Sequence, residues 1–248
     1  MDEKRRQLLT GLSIAGAGVL LNACRGNSSG GATNDSRTEP APGEATPVEV
    51  SATEDLMREH GIIRRALLVY QESATRLRQD ASSIPPDTLE KAANLIRVFG
   101  EDYHEKKIEE VFVFPIVQKS PGPPASYIDT LLEQHERGRA ITDYVLSITR
   151  ADRIPSNSVE PLARALESFV RMYAHHAAIE DTVVFPVWKR AVGEAELEAL
   201  AVKFEEIEAE HFGGDGFDTA LKRMEEIETS LGLSNLEMFT APEPPRAQ

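Results

Sequence analysis

The chain has 248 residues, a net charge of −14 at pH 7 and an isoelectric point near 4.9. Nucleic acids and anionic membrane surfaces are bound through clustered lysine and arginine, so this acidic balance argues against both as partners. The single cysteine excludes an intrachain disulfide, and the stability of the fold must therefore come from its core and from whatever the six histidines bind.

The sequence of residues 1–24 predicts an export signal. An adjacent pair, Arg5 and Arg6, precedes a mildly apolar, Gly/Ala-rich run that is shorter than the ~20 residues of a membrane-spanning helix, and this order resembles a twin-arginine signal. The four residues that end at Cys24 resemble a bacterial lipoprotein cleavage site. We therefore expect an exported protein, periplasmic or at the cell surface, that contacts the membrane only through a lipid on Cys24. Residues 25–52, rich in Gly, Ser, Thr, Pro and Ala, predict a flexible linker.

Residues 53–232 show the apolar spacing of three, four and seven residues that predicts helices, separated by loops rich in Pro, Gly and Ser. No segment alternates with a period of two, so no sheet is expected. Four long helices joined by short loops predict an all-α fold, an up-down-up-down four-helix bundle with extra C-terminal helices, followed by a tail over 233–248. The expected helices cover about 53–79, 87–119, 125–150, 159–192, 194–211 and 217–231.

Residues 99–119 and 170–190 carry one pattern twice, at a constant offset of 71 residues and without a gap. The shared positions are a histidine, a carboxylate five residues later and a Phe-Pro dipeptide. The matching pairs are His104 with His175, Ile108 with Ile179, Glu109 with Glu180, and Phe114-Pro115 with Phe185-Pro186.

A shorter repeat precedes each copy, formed by His60 and His135, each with an arginine four residues later. These histidines and carboxylates lie on all four long helices, and the core of such a bundle is the usual place for metal ligands. Iron accepts both imidazole and carboxylate. Because two neighbouring cations repel each other, bridging carboxylates are needed to hold them, and the duplicated Glu109 and Glu180 are the predicted bridges.

Helical geometry distinguishes the adjacent histidines of the second copy. Residues i and i+4 share a face of an α-helix, whereas i and i+5 lie about 140° apart around its axis. His176 is therefore predicted, rather than His175, to share a metal with Glu180.

The first copy has a different spacing, because its i, i+4 pair is Glu105 and Glu109, and His104 lies one residue earlier. Either Glu105 replaces a histidine as ligand, or a one-residue π-bulge near 106–108 brings His104 and Glu109 together, and both can hold at once. Glu110 is also duplicated, in Asp181, and both are expected to point away from the metal, either into solvent or as neighbours of the ligands.

One histidine on each odd helix, a histidine and a carboxylate on each even helix, and the paired Phe-Pro resemble the hemerythrin-like (HHE cation-binding) family over about residues 53–232. The resemblance implies a bundle with two non-haem irons, bridged by carboxylates and an oxygen species, that bind O₂ or another small diatomic or peroxide ligand. The predicted metal ligands are His60, His104, Glu109, His135, His176 and Glu180, with Glu105 as an additional one.

This chain departs from the family's oxygen carriers at Arg139, where they have a second histidine on the third helix. One iron is therefore expected to have fewer nitrogen ligands, which leaves room for sensing, NO binding or oxidative chemistry. The leading hypothesis is a binding or sensing protein rather than an enzyme. The alternatives are a di-iron oxidoreductase that consumes peroxide or NO, and a metal-storage or structural bundle.

Overall fold

The computed structural model describes residues 50–245 of the chain. The predicted export signal, the lipid site at Cys24 and almost all of the predicted linker lie outside the described residues, so these remain predictions. Among residues 50–245, no helix combines the length and the apolar character that a membrane span requires.

The described residues form six long helices and no strand, which confirms the predicted all-α bundle with extra C-terminal helices. Two of the six are continuous helices made of consecutive α and π parts. Helix α2 comprises Pro86–Leu95, Ile96–Val113 and Phe114–Gln118, and helix α4 comprises Val159–Ile179, Glu180–Val184 and Phe185–Val192. The others are α1 (Ala52–Gln79), α3 (Ile128–Thr149), α5 (Glu194–Phe212) and α6 (Gly216–Leu231).

The first helix begins where its sequence predicts. The Ser51 side chain accepts a hydrogen bond from the Glu54 backbone N–H, and the acidic side chains of Glu54 and Asp55 in the first turn complement the positive end of the helix dipole. Helix α3 begins three residues later than expected, because Pro123–Tyr127 forms a 3₁₀ turn instead of the first α-helical turn. Between α4 and α5 the chain turns at Gly193, whose φ of 85° favours glycine.

Helices α1 to α4 form a closed ring, in which α1 packs chiefly against α4, α2 against α3, α3 against α4, and α1 against α2. Helix α5 covers parts of α1, α2 and the end of α4, while α6 packs on α1 and the beginning of α2. The core contains large aromatic side chains that are fully buried, among them Tyr70, Phe99, Tyr103 and Trp188. Six polar residues of the repeats lie inside this apolar ring and set the geometry of the site: His60, His104, Glu109, His135, His176 and Glu180.

Candidate metal centre

Both copies of the duplicated pattern contain π-helical turns. The N–H of Phe114 donates to the carbonyl of Glu109, and the N–H of Phe185 donates to the carbonyl of Glu180, in each case across five residues. The proline that follows each phenylalanine has no N–H to donate to a tighter α-helical turn, which favours the wide one. The Phe-Pro dipeptides therefore mark the C-terminal end of each π segment.

The two copies differ in how far the π geometry extends. In α2 it covers Ile96–Val113, much more than a one-residue bulge, and it brings His104 and Glu109 to one face with 3.2 Å between Nε2 and Oε1. In α4 the π segment begins only at Glu180, so His176 is still on α-helix and its Nε2 lies 3.0 Å from Glu180 Oε1. A spacing of five residues on a π-helix thus gives nearly the same histidine–carboxylate contact as a spacing of four on an α-helix.

Four imidazoles and two carboxylates meet in the centre of the bundle, and each is at most 3 % exposed. The imidazole Nε2 atoms form two pairs, one on α1 and α2 and the other on α3 and α4. We call the pair His60 and His104 the first half of the site, and the pair His135 and His176 the second half. The two carboxylates, Glu109 and Glu180, lie between the halves and are called the shared carboxylates.

Each shared carboxylate directs one oxygen toward each half. Glu109 Oε1 lies 3.2 Å from His104 Nε2, and its Oε2 lies 3.4 Å from His135 Nε2. Glu180 Oε2 lies 3.5 Å from His60 Nε2, and its Oε1 lies 3.0 Å from His176 Nε2. This arrangement allows each carboxylate to bridge two cations.

The inward-facing atoms of this group lack hydrogen-bond partners among the described residues. These are both carboxylate oxygens of Glu109, both of Glu180, and Nε2 of His104. A buried polar atom without a partner is costly, and a buried carboxylate more so. Burial, together with the neighbouring Glu109 carboxylate, raises the pKa of Glu180 above its usual range, since two negative charges cannot share a dry site without cations. The residues present therefore fit a pair of cations.

The Nδ1 atom of every histidine in the group faces an oxygen of another helix. A carboxylate or amide oxygen accepts a hydrogen bond here, so the proton is held on Nδ1 and the Nε2 lone pair faces the centre. The pairs are His60 with Asp181 (2.7 Å), His104 with Glu59 (2.6 Å), His135 with Glu110 (2.9 Å) and His176 with Gln134 (2.9 Å). Glu110 and Asp181 are thus neighbours of the ligands rather than solvated side chains.

Glu59 and Gln134 were not among the predicted site residues. Each directly precedes the histidine of an odd helix, Glu59 before His60 and Gln134 before His135. A polar residue at the same place in both short repeats is the sequence feature that indicates a role at the site. Their acceptor role depends on contacts with α2 and α4, which local periodicity does not reveal.

The arginines of the short repeats bind the carboxylates that hold the odd-helix histidines. Arg64 forms an ion pair with Asp181, the partner of His60. Arg139 Nη2 lies 2.5 Å from Glu110, the partner of His135. The spacing of four residues places histidine and arginine on one face, so both reach the same carboxylate.

Aromatic rings close the two sides of the centre. Phe185 stacks on His60 with 5.4 Å between ring centroids, and Phe114 stacks on His135 with 5.3 Å. The duplicated phenylalanines therefore cover one histidine in each half and keep water away from it.

A family model described as the hemerythrin HHE cation-binding domain matches residues 51–188. The chain belongs to this family. Similar proteins include the uncharacterized proteins Rv1995 of Mycobacterium tuberculosis and Mb2018 of Mycobacterium bovis, each 39 % identical over 245 residues that cover 95 % of this chain and 90 % of theirs. No solved structure matches the chain. Membership in the HHE family implies cation binding, and the family match ends before α5 and α6.

One further predicted ligand, Glu105, lies beside the centre. Glu105 accepts hydrogen bonds from Tyr173 (2.6 Å) and from Arg139 (3.0 Å), and it lies 3.9 Å from His135 Nδ1. With Glu110 and His135 Nδ1 it forms a separate group of ligand-type atoms. Both oxygens of Glu105 have partners, unlike those of Glu109 and Glu180, so its role as an additional ligand remains a prediction.

His175, the sequence counterpart of His104, is exposed on α4 and is not part of any of the groups that could hold a cation. Arg139, on α3 where the oxygen carriers have a second histidine, binds carboxylates instead and leaves each half with two histidines.

Proposed function

We propose that this protein holds two non-haem irons between its two pairs of histidines and uses them to bind O₂ or a related small ligand, as a binding or sensing protein. The observation that carries the proposal is the placement of Glu109 and Glu180. Each has two partnerless buried oxygens, and each faces both halves of the site.

The donor set supports iron. Each half offers two imidazole nitrogens, and Glu109 and Glu180 each direct one oxygen toward each half, a mixture that non-haem iron accepts. No cysteine lies among residues 50–245, so a thiolate site is not available there. Bound iron supplies redox chemistry and a coordination position for a small ligand.

The protein side chains orient the donors and exclude water. The Nδ1 acceptors fix the rotation of the four rings, so that no reorganisation is needed when the metal binds. Complete burial of His135, Glu109 and Glu180, and the stacking of Phe114 and Phe185, restrict access to small molecules.

A second candidate function, turnover of peroxide or NO, is favoured by the network at Glu105. Turnover needs protons, and Glu105 and Tyr173 form a buried, hydrogen-bonded pair beside His135. Burial raises the pKa of Glu105, so this carboxyl holds its proton more tightly than a solvated one. Turnover of peroxide with an added reductant separates an enzyme from a binding protein.

We further propose that the site operates outside the cytoplasm. The support is the sequence alone: the adjacent arginines near the amino terminus and the lipoprotein-like residues that end at Cys24. Labelling with a radioactive fatty acid in a bacterial host, with Cys24→Ala as control, tests this part independently of the metal.

Metal analysis and the visible spectrum of the purified protein test the main proposal. After loading with ferrous iron and exposure to air, we expect about two irons per chain and a charge-transfer band that shifts when azide is added. A content of one iron or less, or preferential retention of zinc with no ligand-dependent spectrum, would contradict it and favour the storage or structural alternative.

A further inference from the structure

One hydrogen bond to a ligand histidine differs in charge between the two halves of the site. Their inward donors are similar but not identical. The first half groups His60, His104 and Glu109, with Glu180 Oε2 at 3.5 Å from His60 Nε2, and the second half groups His135, His176, Glu109 and Glu180. On the outer side, Asp181 and Glu110 match, because each accepts from an odd-helix histidine and binds an arginine. The remaining acceptors do not match.

In the first half the acceptor is a carboxylate, and in the second half it is an amide. Glu59 Oε2 lies 2.6 Å from His104 Nδ1, and Glu59 is 1 % exposed. Gln134 Oε1 lies 2.9 Å from His176 Nδ1 and carries no charge. Both residues occupy the position directly before the odd-helix histidine, so Glu59 and Gln134 are counterparts in the two short repeats and can be compared directly.

A buried carboxylate that accepts from a ligand imidazole makes the opposite nitrogen a better donor to a cation, and its negative charge lowers the cost of placing a cation nearby. An amide provides the same orientation without the charge. Loss of such an outer partner typically changes metal affinity by about 10–100-fold.

Other charges near the second half do not replace the missing carboxylate. Apart from Glu110, which is the counterpart of Asp181, the nearest carboxylate is Glu105, at 3.9 Å from His135 Nδ1 and beyond hydrogen-bond distance. Its oxygens accept from Arg139 and Tyr173, and the Arg139 guanidinium offsets its charge. No cationic side chain is paired with Glu59 apart from His104 itself among the ion pairs of the described residues.

We propose that the two halves fill in a defined order, the His60–His104 half first, and that Glu59 sets this order. The inference rests on the proposed two-metal site and adds to it a positioning role for Glu59 and Gln134, neither of which contacts a metal directly. The wide π-helix of α2 then carries the tighter half, and the α-helical copy on α4 carries the weaker one.

Zinc titration of the metal-free full chain tests the order, with no need for catalytic activity. Nuclear magnetic resonance of protein labelled with ¹⁵N-histidine follows the ring nitrogens of His60 and His104 separately from those of His135 and His176. We expect the first equivalent of Zn²⁺ to shift the first pair and the second equivalent to shift the second. Competition with a chromophoric chelator gives the two affinities, whose ratio we expect to be at least about tenfold.

Reciprocal substitutions isolate the cause. Glu59→Gln, which keeps the shape of the side chain, should weaken the first half by about 10–100-fold, and Gln134→Glu should strengthen the second half by a similar factor. The double variant should reverse the order of filling. Glu133→Gln, at an exposed neighbour of Gln134, removes the same charge without contacting a ligand and should change neither affinity.

The possible results separate this inference from the proposed function. Two bound Zn²⁺ that fill both halves together, or that fill the His135–His176 half first, would overturn the order while leaving the two-metal site intact. An unchanged order in the double variant would overturn the role of Glu59. Binding of fewer than two ions by the wild type would overturn both proposals.

Discussion

The α1–α2 half of the bundle and the α3–α4 half reach the same donor positions by different local structures. The first places His104 five residues before Glu109 on a π-helix, and the second places His176 four residues before Glu180 on an α-helix. The positions of the donor atoms are thus nearly the same, although the helical turn that delivers them differs. The difference between the halves lies in charge and packing outside the ligands.

The largest expected effect comes from giving each half the histidine-to-glutamate spacing of the other half. His176→Ala leaves His175 five residues before Glu180, the spacing of the first copy, but on an α-helix where that residue points away. His104→Ala with Glu105→His gives α2 the spacing of the second copy on a π-helix. We expect each variant to bind one metal instead of two, measured by elemental analysis.

The control for the second exchange is Glu105→Gln, which should retain two metals, because both oxygens of Glu105 already have protein partners. Retention of two metals by His176→Ala would show that His175 can serve as ligand. Loss of metal from Glu105→Gln would instead identify Glu105 as a ligand.

The arginines of the two halves should differ in their contribution to stability. The Arg139 side chain is 10 % exposed and binds Glu105 and Glu110, whereas that of Arg64 is 42 % exposed. Arg139→Met leaves the buried Glu105 carboxylate without its cation and should lower the free energy of unfolding by about 3–5 kcal/mol. Arg64→Met should cost about 0–1 kcal/mol. Urea unfolding of the metal-free proteins measures both, and equal losses would contradict the difference in burial.

Glu101 should make stability depend on pH in the first copy only. Its counterpart in the second copy, 71 residues later, is Met172, which does not titrate. Burial, partly offset by a hydrogen bond from Thr142, raises the pKa of Glu101 to about 7 from 4.5. The native state then binds the proton more tightly than the unfolded state, so stability falls as pH rises from about 4.5 to about 7. With 1.36 kcal/mol per pKa unit, the loss is roughly 3 kcal/mol.

Glu101→Gln should remove this part of the pH dependence. The measurement is the difference in free energy of unfolding between wild type and variant at pH 5 and at pH 8, which cancels the titration of the other groups. A difference that is the same at both pH values would mean that Glu101 keeps its charge, held by Arg97 at 2.9 Å.

Two helical glycines give the smallest expected effects, with opposite signs. A Cβ at Gly138 would lie 2.1 Å from the hydroxyl of Tyr173, whereas a Cβ at Gly61 would meet nothing within 4 Å. Gly138→Ala should destabilise the protein by about 1–3 kcal/mol through overpacking. Gly61→Ala should stabilise it by about 0.5–1 kcal/mol, because alanine favours the helix. Thermal unfolding of both variants measures the contrast, and a stabilised Gly138→Ala would show that Tyr173 moves freely.

The fold follows from the sequence because its determinants are local. Apolar spacing and Pro/Gly-rich breaks place most of the helix ends within one residue of where the structure has them, and α3 differs only because Pro123–Tyr127 adopts a 3₁₀ turn. The duplicated pattern also predicts that His176 rather than His175 lies beside Glu180, because residue spacing alone determines which side chains share one face of an α-helix.

The rest of the site depends on contacts between distant residues. Glu59 and His104 are 45 positions apart, and His60 and Asp181 are 121 apart, so periodicity within one helix could not pair them. The length of the π segment in α2 was also underestimated. The Phe-Pro dipeptide favours a wide turn near Glu109, but the extension back to Ile96 has no comparable signal in the sequence.

The most direct test of the proposed bridged pair is anomalous X-ray scattering at the iron absorption edge, from crystals of the iron-loaded protein. We predict two anomalous peaks per chain, one near His60 and His104 and one near His135 and His176, each in contact with both Glu109 and Glu180. A single peak, or a peak at Nδ1 of His135 between Glu105 and Glu110, would contradict the proposal that these carboxylates bridge two irons.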